Sequence, residues 1–386
     1  MKQNDVLKLN ILQVCQYFYP YLAGQEMFVL QLGKKLKKSG HNVTVYTSNY
    51  SSLPAYEKIE GLDVFRFKML FNPMNHPICP GFFNLYKTIR DFDIIHVHNE
   101  HSFVTLVTCL INIFFRKPIV LSCHGQLRFN NYLKDLFEMI YSRTVGKFIL
   151  NSAVKIAALS DSDKKYLVSI GVDPGKIAIV PNAIDHEYLD IVSQNNDIRK
   201  DHDEKILLYV GVLIKRKGVD YLIRSLPEIK RNNRIFCIIV GKGDYGENLK
   251  TLAKKLDLMD NISFKGSVKT EELYYYYSMS DIFILPSVSE GLPTTILEAM
   301  YFGLPVITTD IPGIRDHFSD SAILVPPKNE KVLANAINRL LNDDSLRESL
   351  GRRVKELVKE KYSWDKVSNT YINIYNEVLK NNSLNS

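Results

Sequence analysis

Two glutamates border a segment whose backbone is suited to binding an anion. An apolar run at residues 282–285 predicts a strand, and the loop after it contains Glu290. A helix is predicted over residues 293–301 with Pro293 in its first turn, so the free backbone amides near Thr294 and Thr295 could bind a phosphate. Glu298 lies within that helix, and the two carboxylates therefore flank the anion site. Each glutamate alone has a structural alternative, as a residue that complements the helix dipole or as a solvated side chain.

A basic turn follows a second predicted strand. Residues 206–210 form an apolar run, and Lys215, Arg216 and Lys217 come shortly after it. Arg216 could bind a diphosphate through two N–H groups, whereas Lys217 would act as a point charge. A phosphate site is one interpretation of these cations, and a solvated basic turn is the other.

Glycines and one histidine follow further predicted strands. Gly24 comes after the first strand and could present its amide to a phosphate, although its context is not the Gly-x-Gly-x-x-Gly of a dinucleotide-binding fold. His124 follows the strand predicted at residues 119–122, which places an imidazole at the ligand-binding edge of the sheet. A structural role for this histidine is the alternative. Gly241 and Gly243 follow another strand and could admit a flat base against the backbone or form a plain tight turn.

The elements that must position these residues alternate along the chain. Short apolar runs alternate with stretches of helical spacing, which predicts an α/β fold with two Rossmann-like, doubly wound parallel sheets. We expect an N-terminal domain at residues 1–190, a polar linker at 191–204 and a second domain at 205–364. A C-terminal helix at residues 365–386 is predicted to cross back onto the first domain. Because ligands bind beyond the carboxyl ends of parallel strands, the two domains are expected to face a central cleft.

The composition excludes several classes of protein. The chain has 386 residues and a formal net charge of +7, which favours anionic partners. The sequence lacks the dense basic cluster that would indicate a nucleic-acid partner. Its five cysteines are far apart, with no Cys-x-x-Cys pair, so a disulfide framework or zinc ribbon is not expected and a reducing, cytoplasmic location fits best. The longest apolar run, at residues 103–115, is too short to span a bilayer, and the N-terminus has no signal-peptide pattern.

Taken together, these motifs resemble a known enzyme family. Glu290 and Glu298, with seven residues between them and the sequence at 299–307 after them, resemble the signature of retaining, nucleotide-sugar-dependent glycosyltransferases of family 4, which have the GT-B fold. The resemblance covers almost the whole chain. Its further motifs are the Gly24/Glu26 loop and residues 39–43, 180–185, 240–243, 264–266 and 362–364.

The resemblance implies roles for the residues of the second domain. Glu290 would contact hydroxyls of the donor sugar and support positive charge at its anomeric carbon, and Glu298 would bind the ribose. Lys217, with help from Arg216, would hold the diphosphate and stabilise the leaving group. The donor-binding residues implied in this way are Gly24, Arg216, Lys217, Gly241, Gly243, Val268, Gly291, Leu292, Pro293, Thr294, Thr295 and Glu298.

The first domain would contribute from the other side. The resemblance implies that Gly24 closes over the phosphates and that His124 lies near the transferred sugar as a catalytic residue. The leaving phosphate oxygen would help to deprotonate the acceptor on the same face, so that configuration is retained without a protein nucleophile. The family stabilises the diphosphate with cations and helix amides, so neither a metal nor another cofactor is expected.

Two departures from the family pattern keep alternatives open. Val212 stands where the family commonly has Arg, and Ala23 stands where it commonly has the first of two glycines. The leading interpretation is transfer of a hexose from a UDP- or GDP-sugar to a lipid-linked or saccharide acceptor in glycan, glycolipid or cell-surface polysaccharide biosynthesis. The alternatives are a catalytically weak module that binds nucleotide sugars and a GT-B epimerase, which would turn over donor without an acceptor.

The acceptor side is read from variable loops of the first domain. Residues 71–77, 82–83 and 126–134 are rich in aromatic and polar groups that could line the entrance of a sugar or lipid. Residues 131–150 form an amphipathic basic stretch, which could lie on the anionic inner face of a membrane. A helix packed on the sheet with a solvated basic side is the alternative.

Overall fold

The computed structural model describes residues 8–21, 24–73, 76–124, 136, 139–194 and 204–385. These residues form two compact units. The first unit contains the described residues up to Asn182 and those from Trp364 onwards, and the second contains Ala183–Ser363.

Within the described residues, the first unit contains an eight-stranded sheet in the order β3-β4-β2-β1-β5-β6-β7-β8. All neighbours are parallel except β3 and β4, which form an antiparallel hairpin at one edge. The strands are β1 (Asn10–Val14), β2 (Asn42–Asn49), β3 (Tyr56–Ile59), β4 (Leu62–Lys68), β5 (Ile94–His98), β6 (Ile119–Ser122), β7 (Lys155–Ala158) and β8 (Ile177–Ile179). The helices are α1 (Gly24–Lys38), α2 (Phe103–Phe115), α3 (Lys147–Ser152) and α4 (Asp161–Ser169).

The second unit, over the part of the chain that the structure describes, is built on a six-stranded parallel sheet in the order β11-β10-β9-β12-β13-β14. Its strands are β9 (Lys205–Val210), β10 (Ile235–Val240), β11 (Ile262–Gly266), β12 (Ile282–Leu285), β13 (Val306–Thr309) and β14 (Ile323–Val325). The helices are α5 (His186–Gln194), α6 (Val219–Lys230), α7 (Gly246–Lys255), α8 (Thr270–Met279), α9 (Thr294–Tyr301), α10 (Pro312–Phe318), α11 (Glu330–Leu341) and α12 (Asp344–Lys361).

Two central strands are buried along their whole length. All four residues of β12 are buried and apolar, and all five of β5 are buried, including His96 and His98. Helices cover both faces of a doubly wound sheet, so a polar side chain on a central strand needs a hydrogen-bond partner inside the protein. The prediction of two Rossmann-like α/β sheets is therefore confirmed.

The last helix, α13 (Trp364–Asn385), belongs to the first unit. It packs on α1, where the rings of Trp364 and Phe28 lie 5.1 Å apart and Lys35 forms an ion pair of 2.8 Å with Asp365. The Tyr375 hydroxyl shares a hydrogen bond of 2.7 Å with the buried His96 of β5. The predicted return of the C-terminal helix to the first domain is confirmed.

The first eight residues of the second unit were assigned to the first domain by the sequence, and the structure corrects this. The backbone N–H of Ile184 donates to Tyr362 O at 3.0 Å, and Tyr188 packs its ring on Tyr274 of α8. The Tyr301 hydroxyl also donates to the carboxylate of Asp190. Residues 183–190 thus contact elements of the second unit, although the polar stretch that suggested the boundary comes later in the chain.

Candidate active site

Two loops of the second unit meet where the strand order reverses. The chain enters the sheet at β9, which has β10 on one side and β12 on the other, and ligands of doubly wound sheets bind at such a switch point. The loop after β9 contacts the loop after β12 through the backbone: Val288 N donates to Arg216 O at 2.8 Å, and the Arg216 guanidinium donates to Ser289 O at 2.9 Å. The basic turn and the Glu290 loop are therefore one structure.

Gly218 makes this close approach possible. Its φ is +67°, and a Cβ atom there would lie 2.1 Å from the carbonyl oxygen of Pro286. Only glycine fits both the backbone conformation and the space. Gly218 therefore determines how closely the backbone of the adjacent Lys217 approaches the Glu290 loop.

Glu290 is a buried carboxylate held by hydrogen bonds. Lys217 Nζ lies 2.5 Å from Oε1, and the Ser287 hydroxyl donates to the same oxygen at 2.7 Å. The Glu290 side chain is only 8% exposed, and Arg216 lies 3.8 Å from Oε2. A buried charge requires partners of this kind. Ser287 was not singled out by the sequence, although it lies three residues before Glu290 in the same loop.

The helix that follows supplies backbone donors. The helix begins at Thr294, so Pro293 occupies the N-cap position of α9 rather than the predicted first turn. The first amides of an α-helix have no acceptor within the helix, so Thr294 and Thr295 present donors and the positive end of the dipole. Leu292 is buried and anchors the loop just before this turn.

Glu298 has a different environment from Glu290. Its carboxylate accepts a hydrogen bond of 2.9 Å from Tyr277 of α8, whose ring stacks on Phe302. Burial raises the pKa of Glu298 from 4.5 to about 7, and the hydrogen bond from Tyr277 opposes that rise. Tyr277 was missed by the sequence analysis because only the packing of α8 against α9 brings it to Glu298.

Gly241 and Gly243 have structural reasons to be glycine. Gly241 has a φ of +141°, and a Cβ there would lie 1.9 Å from Gly211 O. A Cβ on Gly243 would lie 2.2 Å from Leu213 O. The loops after β9 and β10 are packed backbone to backbone, as in the tight-turn alternative. Val268 lies partly exposed in the loop between β11 and α8.

A glycine from a later part of the chain packs against the Glu290 loop. A Cβ on Gly313, in the first turn of α10, would lie 2.5 Å from Gly291 O and 2.7 Å from Glu290 O. Nothing in the local sequence connects Gly313 with Glu290, because β13 and its loop bring them together. The backbone of this loop is thus in contact with the basic turn before α6 and with the first turn of α10.

In the first unit, His124 belongs to a buried ring cluster. Its ring stacks on His98 at 5.7 Å between centroids, and Phe28 of α1 lies 5.4 Å away. Burial lowers the pKa of His124 to about 4, so this imidazole is neutral at physiological pH. Gly24 is the first residue of α1 and is exposed, and a Cβ there would meet no atom within 4 Å among those described.

A cluster of tyrosines near the same sheet edge was missed. Tyr17 and Tyr21 follow β1 and Tyr50 follows β2, and their ring centroids lie 5.4 to 5.9 Å apart. The Tyr17 hydroxyl donates to Asn72 Oδ1 at 3.2 Å. Aromatic faces with hydroxyl tips suit a sugar ring, which has apolar and polar faces of its own. The repeated tyrosines after β1 were the available signal.

Some predicted residues cannot be placed. Ala23, residues 126–134 and part of the 71–77 loop lie outside the described residues. Elsewhere in the described chain, no three His, Cys, Asp or Glu side chains are grouped so that they could hold a metal ion.

Comparisons with known proteins agree with this architecture. Residues 22–188 match the domain described as Glycosyltransferase Family 4, and residues 191–357 match the domain described as Glycosyl transferases group 1. An uncharacterized glycosyltransferase of Methanocaldococcus jannaschii is 29% identical over 369 residues, which cover 89% of this chain and 92% of the relative.

More distant similarities extend over the same length. The phosphatidylinositol N-acetylglucosaminyltransferase gpi3 subunit of Schizosaccharomyces pombe is 23% identical over 96% of this chain and 81% of its own. Sucrose-phosphate synthase from Thermosynechococcus elongatus superposes with a TM-score of 0.77 at 21% identity, over 97% of this chain and all of that one. This last similarity concerns the fold alone.

Proposed function

We propose that this chain transfers a hexose from a UDP- or GDP-sugar. It belongs to the GT-B glycosyltransferases in which a family 4 domain precedes a group 1 domain. The acceptor is a lipid-linked glycan precursor or a saccharide, and the anomeric configuration is retained. The observation that carries the proposal is the buried Glu290 carboxylate, which is held by Lys217 in the loop that leads into α9.

We assign the negative charge of Glu290 to the donor sugar and the positive charge of Lys217 to the diphosphate. Glu290 Oε1 is occupied by Lys217 and Ser287, which leaves Oε2 as the better acceptor for sugar hydroxyls. Lys217 uses one N–H for this pair and has two left for a phosphate oxygen. Together with the amides of Thr294 and Thr295, it would stabilise the negative charge that develops on the leaving diphosphate.

Glu298 is proposed to hold the ribose. An ionised carboxylate can accept two hydroxyl donors at once, and Tyr277 fixes one of its oxygens. From the first unit, we propose that the Gly24 amide contacts phosphate and that neutral His124 hydrogen-bonds the transferred sugar. Cations and amides provide the charge stabilisation, so we propose that no metal is required and that a chelator leaves turnover unchanged.

A lipid acceptor is favoured by one relative. The Schizosaccharomyces pombe protein is named for transfer of N-acetylglucosamine to phosphatidylinositol, and its similarity extends over nearly the whole chain. Tyr17, Tyr21 and Tyr50 offer a surface on which the cyclic headgroup of such an acceptor, or a sugar ring, would stack.

The direct test is release of nucleoside diphosphate from donor sugars offered with a panel of acceptors, including phosphatidylinositol. Glu290→Gln keeps the shape of the side chain but removes its charge, so turnover should fall at least about 100-fold. Glu247→Gln is the matched control, because Glu247 is exposed and pairs only with Lys250 among the described ion pairs. Equal turnover by Glu290→Gln and the unaltered chain would contradict the proposal.

The alternative of a weak binding module rests on Val212 and on Ala23, which lies outside the described residues. The Val212 side chain is exposed beside the basic turn, where the family commonly has Arg, and Arg216 of that turn lies 3.8 Å from Glu290. Nucleotide binding without turnover on every acceptor would favour that alternative. Turnover of donor in the absence of acceptor would favour an epimerase.

A further inference from the structure

Helix α2 has an outer face without a polar residue. None of its 13 residues is charged, and its only polar side chains, Thr105, Thr108 and Asn112, are buried. Leu110, Ile113 and Phe114 point outwards and are 41%, 55% and 85% exposed. A helix on the surface of an α/β domain normally presents polar residues to water, so this face indicates a binding surface.

Two elements that contact α2 also expose apolar side chains. The 3₁₀ segment Pro80–Lys87 contacts α2 and exposes Phe83 and Tyr86. Helical residues 139–152 contact α2 through α3 and expose Met139 and Ile140. The Tyr141 hydroxyl donates to Glu100 O at 3.3 Å, which holds this stretch next to the start of α2.

These elements are predominantly basic. Residues 80–90, 103–117 and 139–152 contain six cations and no Asp or Glu, although Asp91 and Glu138 adjoin two of these segments in the sequence. We call these three segments the acid-free face. Their cations are Lys87, Arg90, Arg116, Lys117, Arg143 and Lys147.

Two of these cations lie directly over aromatic rings. Lys87 Nζ is 5.7 Å from the centroid of Tyr86, and the Arg90 guanidinium is 5.3 Å from that of Phe115. Cations held beside exposed apolar side chains are the arrangement that inserts apolar groups among lipid tails while pairing with anionic headgroups.

We propose that the acid-free face docks on the surface of an anionic lipid bilayer. A second copy of the chain does not fit, because two such faces would bring like charges together. The inference goes beyond the proposed reaction, since docking concerns the surface of the first unit and is measured without turnover. None of the described helices is long and apolar enough to cross a bilayer.

The test is co-sedimentation of the whole protein with vesicles. Phosphatidylcholine vesicles should bind little of it, whereas vesicles of equal parts phosphatidylcholine and phosphatidylglycerol should bind most of it at low salt and less at high salt. Ile113→Glu with Phe114→Glu should weaken that binding at least about tenfold. Arg143→Glu with Lys147→Glu should weaken it about fivefold for each cation lost.

Matched controls place the same change elsewhere. Met259→Glu and Val332→Glu each introduce a carboxylate at an exposed apolar position of the second unit and should leave vesicle binding unchanged. Thermal melting of each variant shows that it is folded, and a retained nucleotide-induced shift shows that the second unit is intact. These readouts separate a failure of docking from a failure of the proposed reaction.

Three results would overturn the inference. The first is no binding to anionic vesicles at low salt, and the second is equal binding by the Ile113/Phe114 variant and the unaltered chain. The third is a dimer in sedimentation equilibrium that the same variant abolishes, which would assign the face to a second copy.

Discussion

The two carboxylates of the candidate site have opposite environments. Glu290 forms an ion pair with Lys217, whereas Glu298 lies among aromatic rings and accepts a hydrogen bond from the phenol of Tyr277. Their spacing in the sequence indicated both residues. The spacing contained no information on these partners, because Lys217 and Tyr277 come from other parts of the chain.

Glu298 should make stability and ligand affinity depend on pH in opposite directions. Its pKa of about 7 lies above the ordinary value of 4.5, so the folded state binds more protons between these values and stability decreases as pH rises through this window. The decrease is at most about 3 kcal/mol. Nucleotide affinity should rise about tenfold from pH 6 to 8, because the ribose hydroxyls donate to the ionised form. Denaturation and calorimetric titration across this range measure both effects.

Two variants of this pair are the controls. Glu298→Gln cannot titrate, so both profiles should lose this component. Tyr277→Phe removes the hydrogen bond that lowers the pKa of Glu298 and should move the midpoint to higher pH. An unchanged midpoint in Tyr277→Phe would show that another group controls the profile.

At the level of elements, periodicity predicted nine of the strands that the structure describes and missed β8, β11, β14 and the hairpin of β3 and β4. Glu60 and Gly61 both have positive φ and join two antiparallel strands through a two-residue turn. This edge hairpin alternates apolar and polar residues, and Glu-Gly is not among the strongest turn pairs. The buried parallel strands were easier to recognise because their apolar runs are nearly continuous.

The loop contacts could not be predicted from local sequence. Gly218 and Gly313 approach carbonyls of the Glu290 loop, and those contacts depend on the order of strands in the sheet. The sequence predicted that the two loops follow strands. The sheet topology determines that they touch.

Gly218→Ala should disturb the site more than an equivalent change elsewhere. Gly40 also has a positive φ, but a Cβ there would meet none of the described atoms within 4 Å. Gly40→Ala should therefore cost only backbone strain, about 1 kcal/mol of unfolding free energy. Gly218→Ala adds a clash with Pro286 O and should cost about 2 to 4 kcal/mol and weaken nucleotide binding. Chemical denaturation and titration compare them, and equal losses would argue against the close approach as the cause.

At the scale of the whole molecule, a buried series of hydrogen bonds explains why α13 packs on the first unit. The Tyr371 hydroxyl shares a hydrogen bond of 2.6 Å with Ser122, which shares one of 2.8 Å with His96, and Tyr375 binds the other ring nitrogen of His96. The sequence indicated the final helix and its destination from position only. It did not reveal these partners, which are about 250 residues away in the chain.

Removing one hydroxyl of this series should destabilise the first unit. Tyr375→Phe leaves a buried nitrogen of His96 without its partner, at a cost of about 1 to 3 kcal/mol. Tyr86→Phe, at an exposed tyrosine of the same unit, should cost nearly nothing. Amide hydrogen exchange should locate the loss in the first unit and leave protection in β9 and β12 unchanged. Equal stability of both variants would show that these buried hydrogen bonds do not anchor α13.

The measurement that tests the central claim most directly is the melting temperature in the presence of UDP, GDP or ADP. A nucleoside diphosphate bound at the switch point of the second unit should stabilise the protein by about 2.7 kcal/mol at a hundredfold excess over its Kd. We expect a shift with UDP or GDP, retained by Glu247→Ala and largely lost in Glu298→Ala. No shift with any nucleotide, or an equal shift in Glu298→Ala, would contradict the account.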